Sequence, residues 1–277
     1  MSSVAEYRWG VTRRRISDEG EAARKEALAW LGSLGVADAR PEVLLKRMPD
    51  SSGGLGVARG DDGLLGVAVS AGPTAHLVVE DGGLVRELLQ GLAEGGEGAP
   101  RRIWCDPSVV AEVEGWCGEH GGVGAVAEHG VWIAHAAPDP AADGPGLVRW
   151  AEPADGVALE GLYAAYSEAL GRTPTRDLYS ALARKEVVVA EADGRIGSAG
   201  LRSGRGAERD CVDGLWTEPA LRRRGLAGGV LRELLSASLG SRPGVQAVAP
   251  FGDEATAGLL RSTGFEHQAT LVLVARS

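Results

Sequence analysis

Two halves of the chain carry the same order of predicted elements, and this internal repeat restricts the fold more than any other feature. The first half opens on a β-rich stretch at 54–72, whose centre, GDDG at 60–63, is a hairpin signal. Strand and helix patterns then alternate up to an apolar run at 123–136. A second hairpin at 186–202 is followed by the same alternation to the end of the chain. We therefore expect a tandem duplication in which each copy is a mixed, mainly antiparallel sheet flanked by helices, an α/β class.

The individual elements are predicted from apolar spacing and from glycine and proline stops. The predicted helices cover 20–34, 84–95, 109–119, 156–170, 175–185, 226–239 and 253–262. Strands outside the two hairpins are predicted at 76–80, 101–105, 147–152, 210–217, 245–251 and 265–275.

The segment APDPAADGPG at 137–146 divides the chain. It is rich in proline and glycine and has no hydrophobic period, which is typical of an interdomain linker. A chain of 277 residues is also long enough for two domains, each with its own core. We predict one domain over 1–138 and a second over 146–277.

Composition excludes some classes of partner. The net charge of −9 argues against nucleic acid as the main partner, because phosphate binding needs a positive surface, and it favours a cationic small molecule. The three cysteines form no CxxC pair, and the five histidines have no metal-ligand spacing, so we expect reduced thiols and no metal. Neither a signal-peptide core nor a membrane-length apolar run is present, which predicts a soluble, cytoplasmic protein. A monomer and a homodimer both stay open.

The stretch TEPALRRRGLAGGVLREL at 217–234 is the strongest functional signal. A strand pattern ends at Thr217, three arginines follow, and a helix pattern begins inside a run of small residues. The first turn of a helix has unpaired N–H groups and a partial positive charge, so it favours an anion. Small residues let a phosphate reach the backbone while arginines neutralise it. The stretch predicts a pyrophosphate site, although a solvated arginine loop remains the plain alternative.

Arg222-x-x-Gly225-x-Ala227, between a strand and a helix, resembles the coenzyme A pyrophosphate loop of the GNAT superfamily of acyl-CoA-dependent N-acyltransferases. That loop is usually written Q/R-x-x-G-x-G/A. Downstream, DEATAGLLRSTGFE at 253–266 resembles the family's helix and Gly-Phe turn, with Gly264-Phe265 matching. The resemblance covers about residues 147 to 277 and implies two tandem GNAT-like domains, the second of which binds acyl-CoA.

The resemblance implies acetyl-CoA, or another acyl-CoA, as co-substrate and direct attack on its thioester by an amine. The donor's pantetheine arm is expected to pair with the end of the strand at 215–217, with its carbonyl near the Leu215 N–H. The expected donor-binding residues are Leu215, Trp216, Thr217, Arg222, Arg223, Arg224, Gly225, Leu226, Ala227, Gly228 and Asp253.

The catalytic residues are less well defined by the resemblance. Asp213 is the preferred base and Cys211 its neighbour, because alternate residues of a strand share a face if no bulge intervenes. A solvent-facing role for Asp213 is an equal alternative, and Glu208 and Asp210 are further candidates. Leu260 stands where the family often has a tyrosine that protonates the leaving thiolate, so either another group or water does this, or acyl transfer is not the activity.

Tyr163 and Tyr166, three residues apart on a predicted helix, either line the acceptor cleft or pack within the domain. The first half has Glu80 and Asp81 at the equivalent strand-to-helix junction, where carboxylates would repel a pyrophosphate, so we expect it to be a degenerate copy without a donor site.

The expected acceptor is the primary amine of a small molecule. Protein lysine or N-terminal acetylation, aminoacyl transfer from charged tRNA, and a non-catalytic coenzyme A-binding scaffold remain alternatives.

Overall fold

The computed structural model describes residues 18–34, 38–47, 53–94, 98–136, 146–170, 178–206 and 208–277. Within these ranges the α-helices are α1 Asp18–Ser33, α2 Arg40–Arg47, α3 Val85–Leu92, α4 Val110–Glu119, α5 Gly156–Leu170, α6 Leu178–Ala183, α7 Leu226–Leu239 and α8 Glu254–Ser262. None of these helices has the length and apolar character needed to span a lipid bilayer.

The strands in the same ranges are β1 Gly54–Gly60, β2 Gly63–Ala71, β3 Thr74–Val79, β4 Arg102–Cys105, β5 Val123–Ala134, β6 Leu147–Trp150, β7 Val187–Ala192, β8 Arg195–Arg205, β9 Arg209–Thr217, β10 Gly244–Pro250 and β11 Glu266–Arg276. The expected mixed α/β architecture is confirmed, and the predicted hairpins are β1–β2 and β7–β8. Residues 175–177 of one predicted helix lie outside the described residues.

The short helix α2 was not predicted. Its start is signalled by Asp38, whose carboxylate accepts a hydrogen bond from the Arg40 backbone N–H at 3.0 Å, followed by Pro41 and Glu42 in the first turn. An acidic cap before a proline is a helix-start signal. A helix of eight residues makes only about two turns, however, which is too short for a clear repeat of apolar residues.

The chain divides into two compact units, Met1–Gly130 with Ala269–Ser277, and Val131–Gln268. In the first unit the strand order is β1-β2-β3-β4-β11. The pairings are antiparallel except for β3 with β4, which is parallel. One core beneath α3 and α4 contains Leu88 and Trp116, and a second core beneath α1 and α2 contains Leu31 and Leu45. Helices therefore cover both faces of this sheet.

The second unit has the strand order β5-β10-β9-β8-β7-β6. Antiparallel pairing runs from β6 to β9, and β9 pairs with β10 in parallel. Its α7 packs Val230 and Leu234 against one face of the sheet, and α5 packs Leu159 against the other. Apolar residues three and four positions apart lie on the same face of a helix, so each helix can bury several of them against the sheet. Burying one leucine in this way contributes roughly 1.5–3 kcal/mol.

Each unit is completed by the final strand of the other half of the sequence. Val272–Ala275 in β11 pair antiparallel with Arg102–Cys105 in β4, and Val272 and Val274 lie in the first unit's core. The C-terminal part of β5 lies beside β10, with Trp132 in the second unit's core. The units therefore part at Gly130 and Gln268, whereas most of the predicted linker, 137–145, lies outside the described residues.

Candidate active site

The parallel strands β9 and β10 pair along only part of their length. Arg209–Val212 pair with Gly244–Ala247, and β9 then continues to Thr217 while β10 continues to Pro250. Both strands are fully described, and no residue of β9 beyond Val212 pairs with β10. The backbone of β9 from Asp213 onward is therefore available on that edge to an extended ligand.

A β-bulge interrupts the other edge of β9 at the same point. Trp216 pairs with Ala199 and Asp213 pairs with Leu201, so Gly214 and Leu215 together face one residue of β8. Gly214 has φ +59°, a left-handed conformation that favours glycine. The Asp213 carboxylate accepts a hydrogen bond from the Gly214 N–H at 2.6 Å.

The bulge alters the predicted arrangement of the catalytic candidates. It interrupts the alternation of β9 between Asp213 and Leu215, after Cys211 and Asp213. Cys211 is buried, Asp213 is exposed and Leu215 is half-buried. Asp210 is also buried, with one carboxylate oxygen 3.6 Å from Arg242 Nε, while Glu208 is exposed. Of these groups, Asp213 combines a carboxylate with solvent access at the point where the strands part.

The start of α7 has the geometry expected of an anion site. Arg223 and Gly225 have φ +63° and +79°, and Gly225 is the N-cap of the helix. No side chain caps this end, and the first helical hydrogen bond joins the Gly229 N–H to the Gly225 carbonyl at 3.0 Å. The N–H groups that precede this bond are those of Leu226, Ala227 and Gly228.

Two of the three arginines are held by neighbouring groups. Arg224 donates to the carboxylate of Asp193 at 2.6 and 3.1 Å, and Asp193 lies in the β7–β8 turn. The side chain of Arg222 is held over the indole ring of Trp216. Arg223 is exposed. The loop thus combines ordered guanidinium groups with a helix start, which is the arrangement that binds phosphate.

Asp253 serves as the N-cap of α8. Its two carboxylate oxygens accept hydrogen bonds from the Thr256 N–H at 3.0 Å and from the Thr256 hydroxyl at 2.7 Å. Burial raises the pKa of Asp253, but the hydrogen bonds from Thr256 and Ala255 and the charge of Arg222 outweigh it and leave the pKa lowered. Asp253 is therefore an ionised cap close enough to Arg222 to feel its charge.

A line of aromatic rings crosses the α5 side of the bulge. Tyr163 meets Tyr166 edge to face at 6.1 Å between ring centroids, and Tyr166 meets Trp216 at 5.5 Å. The ring of Tyr163 lies in the core beneath α5 and Tyr166 packs against that core, as the packing alternative expects, while a place at the acceptor cleft stays a prediction. The Tyr163 hydroxyl and the Trp216 indole N–H are both buried without a hydrogen-bond partner among the described residues. The sequence singled out Tyr163, but it did not indicate that the hydroxyl would be buried beside a bulge of β9.

Leu260 lies in the core beneath α7 and α8, with 2 % of its surface exposed. It therefore offers no group to the strand gap. Among the described residues no cluster of histidine, cysteine, aspartate and glutamate side chains is arranged to hold a metal ion.

The equivalent junction of the first unit is closed by an acidic side chain. Asp81 caps the 3-10 turn Gly82–Leu84 that leads into α3, and its carboxylate accepts from the Gly83 N–H at 2.9 Å. Glu80 beside it is exposed. In this unit β3 also runs past its parallel pairing with β4, which ends at His76 and Trp104, so the repeated backbone arrangement has lost the open helix start.

The structure resembles solved acetyltransferase structures over almost its whole length. A GCN5-related N-acetyltransferase from Sphaerobacter thermophilus matches with a TM-score of 0.62 and 17% identity, covering 96% of this chain and 95% of that chain. A tandem GNAT protein from the clavulanic acid biosynthesis pathway matches with a TM-score of 0.57 and 12% identity, covering 96% and 97%. A GCN5-related N-acetyltransferase from Kribbella flavida matches with a TM-score of 0.54 and 16% identity, covering 87% and 93%.

No protein-family model and no curated protein sequence matches the chain, so the similarity is one of structure. It extends across both units, as the match to a tandem protein requires. The chain has the fold of the GNAT acetyltransferases, and one of the solved structures that it resembles is a tandem GNAT protein.

Proposed function

We propose that the protein is an acyl-CoA-dependent N-acyltransferase whose second unit binds the donor and moves its acyl group, most simply acetyl, to a primary amine of a small molecule. The observation that carries this proposal is the gap beyond Val212, where β9 leaves β10 next to the uncapped start of α7. An extended, amide-containing arm fits such a strand edge, and a pyrophosphate fits such a helix start.

Donor binding rests on two sets of contacts in this proposal. The backbone of Leu215–Thr217 pairs with the amides of the pantetheine arm, as an added strand would. The N–H groups of Leu226, Ala227 and Gly228 and the guanidinium of Arg223 bind the pyrophosphate, with Arg222 and Arg224 shaping the loop. A hydrogen bond to a charged group contributes roughly 1.5–3 kcal/mol, so the pyrophosphate contacts supply a large share of the donor's binding free energy.

The chemistry proceeds by direct attack. The amine nitrogen forms a bond to the thioester carbon, the carbonyl electrons move onto oxygen, and the collapse of this intermediate breaks the C–S bond and releases a thiolate. Asp213, the exposed carboxylate at the bulge, accepts the amine proton directly or through water. Because Leu260 is buried, the thiolate takes its proton from water or another group. No covalent enzyme intermediate is needed.

The acceptor is proposed to be a cationic small molecule, since the net charge of −9 and the exposed Asp213 favour a positive ligand. The names of the structural neighbours, which are N-acetyltransferases, support acetyl as the transferred group. The first unit is proposed to bind no donor, because the Asp81 carboxylate already lies at its helix start.

The test is isothermal titration of the full chain with acetyl-CoA and coenzyme A, followed by an acetylation assay with a panel of amines. We expect one acetyl-CoA site per chain. Arg222→Glu combined with Gly225→Glu abolishes binding, whereas Arg86→Glu, which changes an exposed arginine of the first unit, leaves it unchanged. Binding without turnover of any amine, peptide or charged tRNA would favour a non-catalytic scaffold instead, and undiminished binding by the double variant would place the donor elsewhere.

A further inference from the structure

The Tyr163 hydroxyl lies inside the second unit with no hydrogen-bond partner among the described residues. The residue is 6 % exposed, and α5 holds its ring in the core with Leu159 and Leu201. Buried polar groups are almost always satisfied, because leaving one unpaired costs about as much as a lost hydrogen bond. Such a group calls for an explanation, and at a candidate active site a bound ligand is one that can supply the missing partner.

The hydroxyl lies against the bulge of β9. A methyl group built on Gly214 would be 3.5 Å from the Tyr163 oxygen, so the hydroxyl lies in contact distance of this residue, whose φ of +59° favours glycine. At the bulge two residues of β9 face one residue of β8, and the pairing with β10 has already ended at Val212. The hydroxyl therefore lies beside the stretch of β9 backbone to which the donor arm is proposed to bind.

The hydroxyl also keeps its proton. Burial raises the pKa of Tyr163 well above its ordinary range, and the charge of Asp213 and the nearby Tyr166 raise it further. A neutral phenol donates a hydrogen bond and carries no charge of its own, which suits stabilisation of a negative oxygen.

We propose that Tyr163 is a catalytic residue whose hydroxyl donates a hydrogen bond to the acyl carbonyl oxygen of the donor thioester, beside the backbone N–H of the β9 bulge. This inference rests on the proposed function and names a second donor for the same oxygen. As the amine attacks, the carbonyl electrons move onto this oxygen and the hydrogen bond strengthens. The tyrosine keeps its proton, and the thiolate leaves when the carbonyl re-forms.

The test needs no acceptor, because acetyl-CoA has this carbonyl and coenzyme A lacks it. Both ligands are titrated into the wild-type chain, Tyr163→Phe and the matched control Tyr179→Phe, whose hydroxyl lies on an exposed side chain of α6. We expect Tyr163→Phe to weaken acetyl-CoA binding by about 3- to 10-fold, the worth of one neutral hydrogen bond, with coenzyme A binding unchanged. The ¹³C resonance of [1-¹³C]acetyl-CoA bound to Tyr163→Phe lies upfield of that in the wild type. Tyr179→Phe matches the wild type in every measurement.

Thermal unfolding of the free proteins separates this role from a structural one. Tyr163→Phe melts at the wild-type temperature or above, because it removes an unpartnered buried hydroxyl. A lower melting temperature, an unchanged acetyl-CoA to coenzyme A affinity ratio, or an unshifted carbonyl resonance would each overturn this inference and leave the proposed function standing. Failure of the wild-type chain to bind either ligand would overturn the proposed function and this inference with it.

Discussion

The guanidinium of Arg222 lies over the indole ring of Trp216, with Cζ 4.6 Å from the ring centroid, and its Nε donates to the Thr217 carbonyl at 3.2 Å. The last two residues of β9 thereby hold the first arginine of the loop before α7. A cation over an aromatic face at an exposed site contributes roughly 0.5–1 kcal/mol. This contact links the end of β9 to the loop before α7. Trp216 therefore belongs to one part of the candidate donor site, the strand edge, and positions Arg222 in the other, the anion-binding loop.

We expect Trp216→Leu to weaken acetyl-CoA binding by about 3- to 10-fold, because Arg222 loses the ring that positions it. Titration calorimetry measures the effect. The control is Trp116→Phe, which changes a buried tryptophan in the first unit and leaves the affinity as in the wild type. Equal affinities for the wild type and Trp216→Leu would show that the ring has no part in donor binding.

The left-handed conformation of Gly225 predicts an ordered series of variants. Gly225→Ala lowers the free energy of unfolding by about 1–2 kcal/mol, since a Cβ is disfavoured at φ +79°. Gly225→Asn costs less, because asparagine tolerates this region. Gly161→Ala, in the exposed middle of α5 with open space around its Cα, is the control and stabilises by about 0.4–1 kcal/mol. Urea unfolding gives all three values, and equal effects of alanine and asparagine at 225 would contradict the conformational explanation.

Leu260 is a core residue, so a tyrosine does not restore an acid at this position. We expect Leu260→Tyr to destabilise the protein by about 1–3 kcal/mol, because the larger ring overpacks the core beneath α7 and α8. Leu260→Met, which conserves volume, costs less than about 1.5 kcal/mol and is the control. Chemical denaturation compares the two. A tyrosine variant as stable as the wild type would mean that this core has room near the strand gap.

Asp253 predicts a loss of stability in acid. Its pKa is lowered in the folded protein, so the unfolded chain binds a proton more readily, and stability present above the unfolded pKa, near 4, is lost as the pH falls through the folded pKa. Asp253→Asn keeps a capping side chain but does not titrate, so its stability falls less between pH 5 and pH 3 than that of the wild type. Urea unfolding at each pH tests this, with Asp253→Ala as the uncapped reference at pH 7. Parallel pH profiles for the wild type and Asp253→Asn would exclude the carboxylate as the cause.

Much of the local structure was predictable because its signals are local. The hairpin β1–β2 follows from its glycine-rich turn, and α7 begins at Leu226 and ends at Leu239, as predicted from the sequence. The strand, arginine loop and helix of the candidate donor site are adjacent in the chain, so their order could be read directly. The groups that interact with that loop could not be predicted, because they lie elsewhere in the chain. Asp193 in the β7–β8 turn accepts hydrogen bonds from Arg224, and Asp253 at the start of α8 interacts electrostatically with Arg222.

The sequence by itself determined the order of strands and helices in each half. It also determined that the helix start is open in the second half and capped by an acidic residue in the first. Only the tertiary structure decided where the chain bulges and which sheet each final strand completes. Val272 and Val274 pack in the first unit, and Trp132 packs in the second, although both strands present similar apolar patterns. Backbone hydrogen bonds between strands are almost independent of side-chain identity, so either strand could pair with either sheet edge. The choice depends on the packing of whole units, which no local pattern contains.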